Sequence, residues 1–147
     1  MSKRIYGVLA LIAVLLLSIA CGDQDAGMDG GEAALSISGS VSSETSWTMN
    51  ELEAMDTVEV DYTDKDGETT TYTGVPITAL LEDAGVESGA TTVTFVASDD
   101  YSADAELSEV QACDNCIVGF DDGSLRVVMP EFSGKMQVKN LVEIQVE

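Results

Sequence analysis

The chain has 147 residues, and its hydrophobic share of 45% is enough to form one domain with a buried core. Its 27 acidic residues against 6 basic ones give a formal net charge of −21 at pH 7, which repels phosphate backbones and excludes a nucleic-acid-binding function. There is no histidine, so the commonest general base and the commonest metal ligand are both missing from the chain.

The N-terminal segment has the pattern of an export signal. Lys3 and Arg4 precede an uncharged, apolar stretch that runs from residue 5 to residue 20. A membrane-spanning helix needs about 20 apolar residues, so this stretch is short for a span and typical of a secretory signal with a positive start. We therefore predict a signal peptide at residues 1–20 and an exported protein.

The end of that stretch, LSIAC at residues 17–21, resembles the lipobox of prokaryotic lipoproteins, in which the cysteine becomes the acylated first residue. The leucine stands four positions before Cys21 rather than the usual three. The resemblance implies a lipid anchor at Cys21 and a place on the extracytoplasmic face of the cell membrane. Secretion after cleavage and an uncleaved N-terminal anchor are the alternatives. Residues 21–32 are rich in glycine and aspartate, which predicts a flexible tether before a domain at residues 33–147.

Most of the predicted elements in that domain are short strands. Polar and apolar residues alternate, or β-prone residues cluster, in several stretches bounded by turn residues. Asp-Gly turns at residues 64–67 and 121–123 predict two hairpins. The predicted strands are residues 33–38, 57–63, 68–73, 91–97, 117–120, 125–129 and 138–146.

Three short helices are predicted between the strands. Thr48 and Glu51 have the spacing of a capping box, which opens a helix ending near Met55. A second helix begins at Pro76 after Gly74 permits a sharp change of direction, and its apolar face consists of Ile77, Leu80, Leu81 and Ala84. Gly85 is its predicted left-handed cap. With one or two helical turns at residues 107–112, the pattern predicts an α+β fold, a mixed β-rich domain with short helices.

Five segments resemble, in order, the motifs of the sulfite-oxidase-type oxidoreductase molybdopterin-binding domain. They cover about the last half of the chain, and together they imply that family's fold and molybdopterin as its cofactor. The segments are YTGVPITALLEDAG at 72–85, a strand at 93–97 followed by DDYS at 99–102, a strand and Asp-Gly turn at 117–123, LRVVMP at 125–130, and Gly134 with VKNL at 138–141 and Ile144.

The resemblance also implies a cofactor site. Catalytic relatives place basic side chains around the pterin phosphate, and Arg126 and Lys139 match two of those positions, with Lys135 close to the second. These three are the predicted cofactor-binding residues. The alternative is that they are ordinary surface cations paired with nearby acids. Other arginines and the histidine of catalytic relatives have no counterpart in this sequence.

The sequence departs from the catalytic pattern at the metal ligand. In catalytic relatives the strand corresponding to residues 58–61 leads into a loop whose cysteine thiolate binds molybdenum. Here the strand runs through Asp61 and Tyr62 and turns straight back, and no cysteine lies between Cys21 and Cys113. A carboxylate is a hard ligand and does not replace a soft thiolate on this metal. We therefore predict no metal site and no catalytic residue.

Cys113 and Cys116 form a Cys-x-x-Cys motif that is not part of the family pattern. In an exported chain an intramolecular disulfide is favoured. A redox-active dithiol and half of a metal site are the alternatives. Asp114 lies between the cysteines and opposes the thiolate that a redox motif needs. A zinc site needs further soft or imidazole ligands, which this sequence does not supply.

Three functions follow, and the residues leave each of them open. The first is a non-catalytic binding or accessory module of the molybdopterin-binding superfamily. The second is a molybdopterin-dependent oxidoreductase that holds its cofactor without a protein thiolate. The third is a thiol-disulfide protein that works through the Cys-x-x-Cys motif. The expected partners are the membrane, through the N-terminal lipid, and a small molecule or a protein.

Overall fold

The structure, a computed structural model, describes residues 31–147. The predicted signal peptide, the lipidation site Cys21 and most of the predicted tether lie outside the described residues. The strands are β1 (Ala33–Gly39), β2 (Thr45–Thr48), β3 (Val58–Thr63), β4 (Thr69–Pro76), β5 (Thr92–Ala97), β6 (Ser102–Glu106), β7 (Ile117–Asp121), β8 (Ser124–Val128) and β9 (Leu141–Val146). The helices are α1 (Met49–Ala54), α2 (Ile77–Ala84), α3 (Leu107–Gln111) and a 3-10 turn (Gly134–Met136).

The strands form two sheets. The first has five strands in the order β2-β1-β9-β5-β6, and the second has four in the order β3-β4-β7-β8. Neighbouring strands are antiparallel except β1 and β9, which run parallel with Ile37 opposite Ile144. The first and last strands of the described domain therefore lie side by side. This architecture confirms the predicted α+β class with a β-rich core.

One hydrophobic cluster holds the two sheets together. It contains inward-facing side chains of both sheets and the apolar face of α2, all excluded from water. Strand β5 shows the underlying pattern, because Val93, Phe95 and Ala97 are buried while the residues between them are half-exposed. The predicted apolar face of α2 is confirmed, with Ile77, Leu80, Leu81 and Ala84 at most 1% exposed.

The start of α2 differs from the prediction. Pro76 is the last residue of β4 and the N-cap of the helix rather than part of its first turn. Gly74 lies inside β4, opposite Gly119 of β7, so the predicted change of direction there is wrong. A Cβ atom at Gly74 would lie 2.1 Å from the Val118 carbonyl oxygen. Gly74 is needed because two strands approach closely, not because the chain turns.

The remaining predictions hold with shifted bounds. The capping box is confirmed, because Glu51 N–H donates to the Thr48 hydroxyl and the Glu51 carboxylate accepts from Thr48 N–H. Both predicted hairpins form. Strand β9 begins at Leu141 rather than at residue 138, since Asn140 has φ of +53° and interrupts the extended backbone. Strands β2 and β6 were not predicted.

Candidate functional site

A cavity of about 430 Å³ opens beside the β3–β4 hairpin, strand β8 and the segment that leads into β9. We call it the cation cavity. Its lining residues are Tyr62, Asp64, Lys65, Glu68, Thr70, Tyr72, Arg126, Gly134, Gln137 and Lys139.

The cation cavity collects most of the basic residues of the described domain. Residues 31–147 contain four lysines and arginines, and Lys65, Arg126 and Lys139 all line this cavity. Lys135 does not line it, and this residue is exposed on the 3-10 turn. The structure thus brings together two of the three predicted cofactor-binding residues and adds Lys65, which the sequence reasoning missed. The sequence placed Lys65 in a predicted turn and gave no other indication that it belongs to a site.

Backbone contacts fix Arg126 and Lys139 next to each other. Arg126 pairs with Gly119 of β7 on one side and forms an isolated antiparallel bridge with Lys139 on the other. Val127 N–H donates to the Val138 carbonyl at 2.8 Å. The Gln137 side chain continues this contact, because its amide oxygen accepts from Met129 N–H and its amide nitrogen donates to the Met129 carbonyl. The segment before β9 is therefore pinned along the edge of β8.

Arg126 is held flat against the sheet although its side chain is charged. The residue is only 7% exposed. Its Nη1 donates to the Tyr72 hydroxyl at 2.7 Å and to Asp121 Oδ2 at 3.3 Å, and its guanidinium carbon lies 4.5 Å from the centre of the Tyr72 ring. Gly119 lies under this pair, because a Cβ there would be 3.4 Å from Tyr72 Cβ and 3.7 Å from Arg126 Cγ. The tightest contact of such a Cβ would be with Val128 Cγ2 of β8, at 3.2 Å.

One edge of the guanidinium group is left unused. Both of its hydrogen bonds within residues 31–147 leave from Nη1. Nε is buried and has no hydrogen-bond partner in the described part of the chain. A buried donor without a partner costs about 1–3 kcal/mol, so such a group calls for an acceptor. Nε has no solvent-accessible surface, so a ligand in the cavity reaches it only if neighbouring side chains move.

The acids near the cavity are partly occupied by other contacts. Asp64 Oδ1 accepts from the backbone N–H groups of Asp66 and Glu68, at 2.9 and 3.0 Å, and so closes the β3–β4 turn. Asp121 is paired with Arg126. Glu68 lines the cavity and is exposed. The lining residues therefore carry three positive and two negative charges, in a domain that is otherwise strongly acidic.

The residues of the cavity match an anion but not a molybdenum ion. Asp61 lies in β3, just before the position at which the family resemblance places a cysteine, and its carboxylate accepts from the Thr71 hydroxyl across the hairpin at 2.5 Å. No group of three or more histidine, cysteine or acidic side chains within residues 31–147 is arranged to hold a metal. The lining offers cations for the phosphate-like part of a molybdenum cofactor and no cysteine for its metal.

The predicted disulfide between Cys113 and Cys116 is present, with their Cα atoms 5.5 Å apart. Both residues are buried, at 6% and 0% exposure, and neither lines the cation cavity. Cys113 lines a separate cavity together with Glu109 and Phe132. The two sulfur atoms are thus bonded to each other, and neither cysteine belongs to the lining of the cation cavity. Among the described residues, no helix is long and apolar enough to cross a membrane.

The two β-sheets with few short helices form an α+β domain. The family model described as "Oxidoreductase molybdopterin binding domain" matches residues 27–147, so the chain belongs to this family and the resemblance seen in the sequence is confirmed.

The crystal structure of the sulfane dehydrogenase SoxCD from Paracoccus pantotrophus has a similar fold. The match has a TM-score of 0.65 and 18% sequence identity, and it covers 82% of this chain and 39% of that one. The chain thus spans well under half of the length of this structural relative. Curated proteins gave no significant match.

Proposed function

We propose that this chain is a lipid-anchored, extracytoplasmic member of the family that acts as a binding or accessory module without molybdenum chemistry of its own. The observation that carries the proposal is the composition of the cation cavity: it has three cations and no sulfur donor. Because the chain belongs to this family, molybdopterin is the ligand to expect. The missing thiolate separates this chain from the catalytic pattern.

The state of the cysteines supports the non-catalytic assignment. A thiolate ligand has to be free and close to the metal, whereas Cys113 and Cys116 are bonded to each other and buried. Their burial also argues against thiol-disulfide exchange as the main activity, since exchange requires an incoming thiolate to reach a sulfur atom. The sulfur chemistry of the described domain is therefore structural.

Attachment to the membrane is proposed from the N-terminal sequence. The signal-like stretch at residues 1–20 and the lipobox-like cysteine at position 21 support acylation. Stable anchoring takes more than one acyl chain, which the lipoprotein pathway supplies. The acidic surface of the domain repels anionic headgroups, so the lipid rather than the protein surface provides the attachment.

One observation favours the second candidate, a molybdopterin-dependent oxidoreductase. Arg126 and Lys139, which match basic positions of catalytic relatives, lie in the same cavity. This arrangement fits the anionic end of the cofactor. It does not supply a ligand for the metal, so the non-catalytic module remains our first choice.

Elemental analysis separates the two candidates. The full-length chain is purified from the membranes of its native host in a non-ionic detergent, and molybdenum is measured per polypeptide. We expect a content far below one atom per chain. Stoichiometric molybdenum that disappears in the double variant Arg126→Met/Lys139→Met, but not in Lys135→Met, would overturn the proposal and establish the oxidoreductase.

A further inference from the structure

We infer that an apolar groove at the N-terminal end of the described domain holds the side chain of Met28, a residue of the predicted tether. The groove lies where the first residues of β1 and β9 meet the β7–β8 turn and the start of α1, and its volume is about 250 Å³. We call it the tether groove. The inference goes beyond the proposed function, because it assigns a docking surface to the segment that precedes the domain and does not depend on any ligand of the cation cavity.

The first argument is the chemistry of the tether groove. Its lining includes Leu125 and Leu141, which belong to the core and are each 2% exposed. Ala34 and Met49 also line it and pack against the same core. Val142 completes the apolar wall and is 40% exposed. None of the described residues that line the groove carries a charge, although the chain has a formal net charge of −21. An apolar side chain in the groove therefore extends the core and removes apolar surface from water.

The second argument is the path of the chain. Ala33 itself lines the groove, so the residues before it start at the groove's edge. At Gly31 the backbone lies against Thr48, because a Cβ there would be 3.3 Å from Thr48 Cγ2, and the next residue, Met49, lines the groove. Met28 stands five positions before Ala33. An extended chain spans about 3.3–3.6 Å per residue, so these positions reach about 17 Å, enough to bring the Met28 side chain onto the groove.

The third argument is the composition of the segment between Cys21 and Ala33. Met28 is its only large apolar side chain, among glycines, acids, one glutamine and one alanine. The unbranched thioether side chain of methionine adapts to irregular apolar spaces. The family match begins at residue 27, so Met28 lies inside the matched part of the chain, ahead of the first strand. The segment thus offers one apolar residue within reach of the groove.

Charge and connectivity favour this occupant over the alternatives. A second copy of the chain would bring another strongly acidic surface to the groove, and anionic lipid headgroups would be repelled in the same way. Met28 is already held near the groove by its covalent connection, so it loses little translational freedom on docking. Docking also has a consequence for the lipid anchor proposed above. Only residues 22–27 then separate Cys21 from the docked residue, which keeps the tether groove within about 24 Å of the membrane.

The test is the oxidation of Met28 by hydrogen peroxide in the full-length chain in a non-ionic detergent, followed by peptide mass spectrometry. A methionine that lies in the groove is shielded from the peroxide. We therefore expect its sulfoxide to form more slowly, by roughly fivefold or more, than in a synthetic peptide of residues 22–32 in the same sample. The ratio should be the same at two protein concentrations, because the docked residue belongs to the same chain.

Matched variants show whether the groove provides the protection. Val142→Asp places a charge in the groove, and Val58→Asp makes the same change at an equally exposed strand position that does not line it. We expect Val142→Asp to raise the oxidation rate of Met28 to that of the peptide, and Val58→Asp to leave it within about twofold. The fluorescence of Trp47 shows whether both variants fold. If Val142→Asp does not fold, nuclear Overhauser contacts between the Met28 and Val142 methyl groups of the unaltered chain decide the matter, with Met28→Leu identifying the methionine signal.

Three results would overturn the inference. One is oxidation of Met28 in the unaltered chain at the rate of the peptide. Another is protection that both valine variants retain, which would place Met28 in the detergent micelle. The third is protection that increases with protein concentration, which would assign the groove to a second copy of the chain. The molybdenum content, which tests the proposed function, is a separate measurement, so the two can fail independently.

Discussion

The substitution Gly74→Ala tests whether the close approach of β4 and β7 holds the two walls of the cation cavity together. Tyr72 lies on β4 and Arg126 on β8, and β7 separates these two strands. The β4–β7 ladder has only three paired positions, one of which is Gly74 with Gly119. Any widening at Gly74 therefore acts on the short ladder that sets the distance between the tyrosine and the arginine.

The expected magnitude follows from the contacts of the added methyl group. It would lie 2.1 Å from the Val118 carbonyl oxygen and 2.6 Å from Gly119 Cα, and both are backbone atoms that cannot rotate away. Reaching ordinary van der Waals separation requires the strands to part by roughly 1 Å or more. Overpacking costs about 1–3 kcal/mol when side chains can adjust. Since the backbone has to move here, we expect a loss of at least about 3 kcal/mol.

The assay is urea unfolding followed by the fluorescence of Trp47, the single tryptophan, which is 7% exposed. A loss of about 3 kcal/mol lowers the urea midpoint without changing the slope and reduces the melting temperature by roughly 12 °C. Gly89→Ala is the matched control, because a Cβ at Gly89 meets no atom within 4 Å. It should change stability by no more than about 0.5 kcal/mol. Equal effects of the two substitutions would refute the reasoning.

Three further predictions concern a helix cap, the disulfide and the anchor. The Glu51 carboxylate accepts hydrogen bonds from the backbone N–H and from the hydroxyl of Thr48. Both bonds lower its pKa, and the backbone bond has the larger effect. Glu51→Gln should therefore reduce the free energy of unfolding at pH 7. In urea unfolding at several pH values, the difference between the two chains should vanish as the pH falls through that lowered pKa. A difference that persists in acid would contradict this. Replacing both Cys113 and Cys116 with alanine should lower the free energy of unfolding by about 2 kcal/mol, because the closed loop is short. A much larger loss in the same assay would show that the disulfide organises the core. Cys21→Ser should move the protein from the membrane fraction to the soluble fraction on immunoblots, and unchanged fractionation would rule out the lipid anchor.

Local patterns predicted the elements whose causes are local. Helix α2 followed from its apolar spacing, and its cap at Gly85 has the expected left-handed backbone, with φ of +70°. The second hairpin followed from its Asp-Gly turn, in which Asp122 and Gly123 both have positive φ. In these cases the residues that determine the conformation are neighbours in the sequence.

Strand β6 was missed because its cause is not local. Its sequence, SADAE, has little β-prone or apolar character, and the strand forms because β5 provides a partner along its whole length. The parallel pairing of β1 with β9 is likewise invisible to periodicity, since it joins residues more than 100 positions apart. The close approach at Gly74 was misread for the same reason.

The candidate site was predictable in part. Arg126 and Lys139 came from a resemblance to family motifs, and the structure places both in the cation cavity. Lys65 reaches the cavity because the β3–β4 hairpin and β8 belong to one sheet and both border the cavity, which no local pattern reveals. Lys135 is close in sequence, but its carbonyl accepts from the Tyr101 hydroxyl and its side chain remains outside the cavity lining. Whether these cations bind a cofactor stays a prediction.

The central claim is that the cation cavity holds no molybdenum cofactor because no cysteine lines it to bind the metal. A native mass spectrum of the full-length chain, taken from its host's membranes in a non-ionic detergent, tests this most directly. The account predicts a chain that begins at an acylated Cys21, carries the Cys113–Cys116 disulfide and has no bound molybdopterin mass. A spectrum that shows one molybdenum-pterin cofactor per chain would contradict the account.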